Sequence, residues 1–162
     1  MEKIWAPWRM EYIFSEKNNG CIFCEKSQQK EDKKNYILFR DTFGFVMMNI
    51  FPYNNAHLMI APYRHAASLE DLPPEELTQI MVLVTKSLSG LKKIIKADGY
   101  NIGMNIGSIA GAGIADHMHI HIVPRWLGDT NFMPILAETK VLPQHLDTTF
   151  EILQPFFDLN KE

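Results

Sequence analysis

His117-Met118-His119-Ile120-His121-Ile122-Val123-Pro124-Arg125 sets an imidazole at every second position over five residues. Successive side chains of a β-strand point to opposite faces, so the three histidines share one face while Met118, Ile120 and Ile122 share the other. One face carries chemistry and the other faces a core. Imidazoles this close cannot all be protonated, because like charges depress one another's pKa, and at least one is expected to be neutral and nucleophilic near pH 7. The residue types alone also allow a solvated face or a metal site without catalysis. The matching apolar face favours a functional strand.

Immediately upstream, Gly107-Ser108-Ile109-Ala110-Gly111-Ala112-Gly113 is a loop of small residues. It reads as a plain turn or as a phosphate cradle, in which backbone N–H groups curl around an anion. Its position directly before the histidines favours the cradle. Tyr100, Ile102, Met104 and Ile106 alternate with Asn101, Gly103, Asn105 and Gly107, which predicts a half-buried strand with Asn101 and Asn105 on its polar side. Before that, Leu77, Ile80, Met81, Val84, Leu88, Leu91 and Ile95 recur at helical spacing, predicting a long helix over 73 to 97 with its apolar stripe in the core. Asp71, Pro73, Pro74, Glu75 and Glu76 read as its start, and Gly99 as its stop. Three β-rich runs, Tyr36 to Arg40, Gly44 to Ile50 and His57 to Ala61, are separated by turn residues and read as an antiparallel meander. Trp5, Trp8 and Tyr12 mark an aromatic N-terminal arm that packs either on its own domain or on a second subunit. Leu146, Phe150, Leu153 and Phe157 predict a C-terminal helix ended near Pro155.

The 162 residues form one domain by size, and a 46% hydrophobic fraction suits a globular protein with an ample core. A net charge of −3 provides no general attraction to nucleic acid polymers or anionic membranes, so any polyanion site must be built locally. No secretory signal core or membrane-spanning run is present, and a cytoplasmic location is expected. Two cysteines, Cys21 and Cys24 in Cys-Ile-Phe-Cys, point in a reducing compartment to metal or redox chemistry rather than a disulfide.

The segment His117-Met118-His119-Ile120-His121-Ile122-Val123 resembles the His-x-His-x-His-x-x signature of the histidine triad (HIT) family of nucleotide hydrolases and transferases. The likeness runs over roughly residues 21 to 126. Val123-Pro124-Arg125-Trp126-Leu127-Gly128-Asp129-Thr130-Asn131-Phe132 and Trp5-Ala6-Pro7-Trp8-Arg9 are similar to its prokaryotic branch of dinucleoside polyphosphate phosphorylases, the ATP adenylyltransferase-like proteins. The resemblance implies an α+β, HIT-like fold: an antiparallel sheet of about five strands, one long helix and a C-terminal helix. A single domain over 1–162 is expected, with an arm (1–20), a core (21–126) and an extension (127–162), assembled as a homodimer.

It further implies catalysis by His119, His121 and His117. His119 attacks the α-phosphorus of a nucleotide, adenine being the expected base, and forms a covalent nucleotidyl-histidine that phosphate or water resolves. His121 contacts the phosphate. The proton for the leaving group comes from a neighbouring histidine or from the substrate. His57 matches an early histidine that supports the others, or is simply a buried structural one. Asn49 matches a ribose-binding position and Asn105 a phosphate contact, with Ser108 and Gly113 as further substrate contacts. The chain departs from the pattern before the triad, where Gly113-Ile114-Ala115-Asp116 lacks the usual hydroxyl; Ser108 could replace it, and Asp116 could orient an imidazole. Arg125 either serves phosphate or caps the sheet.

Relatives containing zinc are similar in using a Cys-x-x-Cys pair, a later histidine and the first triad histidine, here Cys21, Cys24, His65 and His117. Two thiolates and two imidazoles make a closed tetrahedral site, so zinc here would be structural. The alternative is a pair of free thiols, with His117 supporting His119. Catalysis itself needs no cofactor if imidazoles and backbone dipoles stabilise the phosphoryl oxygens. Two other functions stay open: hydrolysis of nucleoside phosphoramidates or other nucleotide conjugates, and a non-catalytic nucleotide or metal sensor.

Overall fold

Strands β1 (Ile37–Arg40), β2 (Gly44–Met48) and β3 (Leu58–Pro62) form the expected meander, and β4 (Gly99–Gly103) and β5 (Ile120–Arg125) complete an antiparallel sheet in the order β1-β2-β3-β5-β4. The structure, a computed structural model, describes residues 20–129 and 144–159. The aromatic arm and much of the C-terminal extension lie outside the described residues.

Alternation along the central strands sorts the side chains into two layers. Val46, Met48, Leu58, Ile60, Ile120 and Ile122 face one core, shared with Ile80, Leu83, Val84 and Leu91 of helix α2 (Pro74–Ile94) and with Phe150, Leu153 and Phe157 of helix α3 (Leu146–Asp158). Phe45, Met47, Met59 and Ala61 face the opposite side, where helix α1 (Ile22–Gln28) contributes Phe23. Both faces of β2 and β3 are therefore buried. Burial of apolar side chains on two sides is what fixes register here, since a slip of one residue would exchange the two layers. Gly44 is required by close approach: a Cβ there would lie 2.6 Å from the Ala61 carbonyl oxygen and 2.6 Å from Ile80 Cδ1.

Four local expectations need correction. Asp71 does not start the long helix. It closes a short 3-10 turn, Leu69–Asp71, by accepting the Ser68 N–H, and α2 begins after Pro73. α2 stops at Ile94 rather than at Gly99, because Lys96 takes a left-handed conformation (φ 52°) with its N–H toward the Leu91 carbonyl. Pro155 lies inside α3 instead of ending it, and the helix continues because Phe157 beyond it is fully buried. The strand expected over 100–106 ends at Gly103. It is an edge strand, and Ile102 and Ile106 are each 47% exposed, so this segment is not half-buried as its alternation suggested.

Candidate functional site

Regular pairing of β5 begins at Ile120, where Ile60↔Ile120 and Met59↔His121 put His121 on the α1 side of the sheet. His117–His119 precede that pairing and are held individually. The Met118 N–H bonds to the Ala66 carbonyl at 2.7 Å, and His117 Nε2 lies 2.9 Å from the Pro62 carbonyl oxygen. His117 is fully buried and His119 is 6% exposed.

The partners of each ring nitrogen decide its tautomer. A carbonyl oxygen can only accept, so His119 donates Nδ1–H to the His117 carbonyl at 2.9 Å, which leaves the lone pair of the neutral ring on Nε2. His117 donates Nε2–H to Pro62, which leaves its lone pair on Nδ1. A third assignment comes from the turn before β3. The Tyr53 N–H bonds to His57 Nδ1 at 3.0 Å, and Asn49 Nδ2 lies 3.4 Å from the same atom, so that nitrogen accepts. His57 therefore carries its proton on Nε2, 2.9 Å from His121 Nδ1. His121 accepts there and bears its own proton on Nε2. A nucleophilic nitrogen on His119 and an N–H donor on His121 result, with the two rings 4.7 Å apart. Burial holds His119 below the ordinary imidazole pKa, against the opposing pull of the His117 carbonyl. Burial lowers His117 as well, with the neighbouring His65 and His119 adding to it.

The same His117 belongs to a second cluster. Ligand atoms of Cys21, Cys24, His65 and His117 all lie within 4.8 Å of one another. Cys21 Sγ is 3.2 Å from His117 Nδ1, Cys24 Sγ is 3.5 Å from that atom, and Cys24 Sγ is 3.4 Å from His65 Nδ1. Zinc bonds of roughly 2.3 Å to sulfur and 2.0 Å to nitrogen give a tetrahedral S···N edge of about 3.5 Å. The donor set and its spacing fit such a metal. Burial and the adjacent Cys21 push the Cys24 thiol above its ordinary pKa, an arrangement a bound cation would reverse.

The other expected residues lie on β5 and in segments adjoining the strands. Asn49 follows β2, and its Oδ1 accepts the Phe51 N–H at 2.9 Å. Gly103 pairs with His121, so the glycine loop leaves β4 beside the histidines, and Asn105 bonds across it to the Gly111 carbonyl at 3.3 Å. Gly107 (φ 83°) and Gly111 (φ 90°) need their left-handed backbone, while Ser108 opens a 3-10 turn and Gly113 and Asp116 are exposed. Arg125 takes the sheet-capping role, paired with Asp129 and bonded to Asn101 Oδ1.

Two residues escaped the sequence reading. Phe23 lies 4.7 Å from the His119 ring and 5.1 Å from the His117 ring, and Tyr53 packs at 4.7 Å on His57 and 5.7 Å on His121. An apolar residue between two candidate ligands was a signal for Phe23. Nothing marked Tyr53, whose backbone contributes as much as its ring.

Comparison with known proteins agrees with this geometry. The HIT domain family matches residues 29–126. An AP-4-A phosphorylase of Mycobacterium tuberculosis is 34% identical over 161 residues, covering 94% of this chain and 83% of the relative. The adenosine 5'-monophosphoramidase HNT1 of Saccharomyces cerevisiae is 33% identical over 106 residues, covering 65% of this chain and 63% of that protein. A solved structure of a Zn-bound histidine triad family protein from Mycobacterium smegmatis superposes with TM-score 0.68 at 21% identity, over 88% of this chain and 96% of the other, and shares its fold. With the triad leading into β5, the meander beside it and the family match through both, the chain belongs to the histidine triad family.

Proposed function

We propose that this protein is a nucleotidyl transferase that cleaves dinucleoside polyphosphates at the α-phosphate, with diadenosine tetraphosphate as substrate and inorganic phosphate as acceptor. The observation that carries the reading is the His119 Nδ1–H bond to the His117 carbonyl, which leaves Nε2 as a buried nucleophile. Similarity over 94% of the chain to an AP-4-A phosphorylase supports the substrate class.

In the first step His119 Nε2 attacks the α-phosphorus, the P–N bond forms, and the P–O bond to the leaving ATP breaks. His121 Nε2–H donates to the phosphoryl oxygens, where charge develops. In the second step an oxygen of inorganic phosphate attacks the same phosphorus, the P–N bond breaks, ADP departs and the His119 lone pair is restored. His57 holds the His121 tautomer. Asn49 is assigned to the ribose, and Asn105, Ser108 and Gly113 to the phosphates. Cys21, Cys24, His65 and His117 would hold zinc, which would supply structural cross-linking with no open coordination position. The exposed Ile102 on the β4 edge, with the exposed Ile106 just beyond the strand, supports a homodimer through that edge. Among the described residues no helix is long and apolar enough to cross a membrane.

The test is incubation with diadenosine tetraphosphate, with and without phosphate, beside a His119→Ala control. ADP plus ATP formed only with phosphate is the expected result. AMP plus ATP would make water the acceptor. No turnover would overturn the dinucleotide reading and move the site toward phosphoramidates, a substrate on which the same attack would break a P–N bond, or toward nucleotide sensing.

A further inference from the structure

Helix α1 is too short to be stable alone: a seven-residue helix lies below the length at which propagation offsets the nucleation cost. Tertiary contacts must pin it, and they fall into two groups. At its C-terminal end Arg40 of β1 bonds to the carbonyls of Ser27 (2.6 Å) and Gln29 (2.8 Å) and pairs with Asp32 (2.8 Å). At its N-terminal end are Cys21 and Cys24, the two thiols of the candidate metal cluster. Phe23 stands between those thiols in the sequence, is 1% exposed, and sets its ring against His119 and His117.

His117 closes the circuit from the other side. Its ring meets both thiols, and its backbone carbonyl accepts the His119 Nδ1–H. The nucleophile is therefore bounded by a ring and a carbonyl, both anchored to residues of the cluster. We infer that Phe23 is a positioning residue for His119, and that metal held by Cys21, Cys24, His65 and His117 sets its place, so that occupancy of a site remote from the reacting phosphorus governs the orientation of the nucleophile. The metal takes no part in the reaction. It fixes the N-terminal end of α1 and the backbone of His117, and through them the Phe23 ring that holds the His119 imidazole in one rotamer and the His117 carbonyl that holds it in one tautomer. The inference rests on the reading of His119 as nucleophile, but its central observable is the imidazole itself.

The experiment uses the full chain, isotopically labelled at histidine, with zinc bound and after removal by a chelator, both under a thiol reductant. Imidazole nitrogen and carbon resonances report tautomer and rotamer, and His119 is assigned by loss of its signals in His119→Ala. In the zinc-bound wild type, His119 is expected as a single Nδ1–H tautomer, shifted upfield by the Phe23 ring. Chelation is expected to broaden or split that signal. Phe23→Leu, which keeps the site apolar, is expected to disturb it with zinc still bound at one ion per chain, and Phe23→Tyr to restore it. In turnover, Phe23→Leu is expected to lower kcat roughly tenfold with KM nearly unchanged, as misplacement of a reacting group does. His119 resonances unchanged by chelation, or unchanged by Phe23→Leu, would overturn the inference. Wild-type protein that turns over no dinucleotide would instead overturn the functional reading, while the resonances still decide the coupling.

Discussion

His119 Nδ1 and the backbone oxygen of His117 are 2.9 Å apart, and this contact joins two chemistries that share one residue. The carbonyl of His117 keeps the His119 proton on Nδ1, while its ring faces two thiols. Neighbouring triad positions thus make different contacts although the sequence writes them identically.

Replacing His119 by alanine is expected to lower turnover by at least about 10³-fold, because the covalent route is lost. Wild-type protein denatured in alkali, which preserves the P–N bond, after incubation with substrate in the absence of phosphate should carry a nucleotidyl group by mass spectrometry, and the variant none. An adduct of equal yield on His119→Ala would place the nucleophile elsewhere.

His57→Ala removes the donor that keeps His121 Nδ1 an acceptor. Either nitrogen of His121 could then carry the proton, and the oriented donor toward phosphate is lost. A fall in kcat on the order of 10²-fold is expected, comparable to removing one oxyanion donor. If kcat stays within about threefold of wild type, His57 is only a structural histidine.

Cys24→Ser deletes a thiol that lies 3.4–3.5 Å from two imidazole nitrogens. Loss of the bound ion is expected, together with a fall in Tm of about 10 °C, since a ligand that binds only the folded state stabilises it. Metal analysis and calorimetry check both. Equal Tm for chelated and zinc-loaded wild type would show that the cluster is a pair of free thiols.

A methyl group at Gly44 would meet the Ala61 backbone oxygen, which cannot turn away as a side-chain end can. Gly44→Ala is expected to cost about 2 kcal/mol, within the usual range for overpacking. Because Gly44 pairs with Pro62, whose carbonyl holds His117, activity at a temperature where the variant is folded should fall as well. Urea unfolding with an unchanged midpoint would contradict this.

If the proposed dimer forms through β4, Ile102→Glu, at a position 47% exposed on that edge strand, is expected to leave the protein monomeric. Sedimentation at micromolar concentration reads the outcome, and a wild-type monomer would refute the edge-to-edge assembly.

Much of this arrangement was legible in advance because two periodicities carry it. The step of two along 117–123 separated histidines from Ile120 and Ile122, and the three-to-four step along Leu77 to Leu91 announced α2. Ends were read less well. Lys96 stops α2 through a left-handed conformation that no lysine advertises, and Pro155 sits inside α3 because burial of Phe157 outweighs one missing hydrogen bond.

The residue pattern was enough to show which side chains could do chemistry: three imidazoles alternating with apolar residues, two thiols three residues apart, and apolar runs sufficient for a sheet with helices on it. Only the tertiary structure decided which nitrogen of each imidazole bears the proton, because the deciding partners are the backbone groups of Tyr53, Pro62 and His117. Every residue except proline carries the same N–H and C=O, so residue identity cannot say which of them a ring will meet. The same holds for the thiols: Cys21 and His117 are ninety-six positions apart, and only the packing of α1 across the sheet brings them to 3.2 Å.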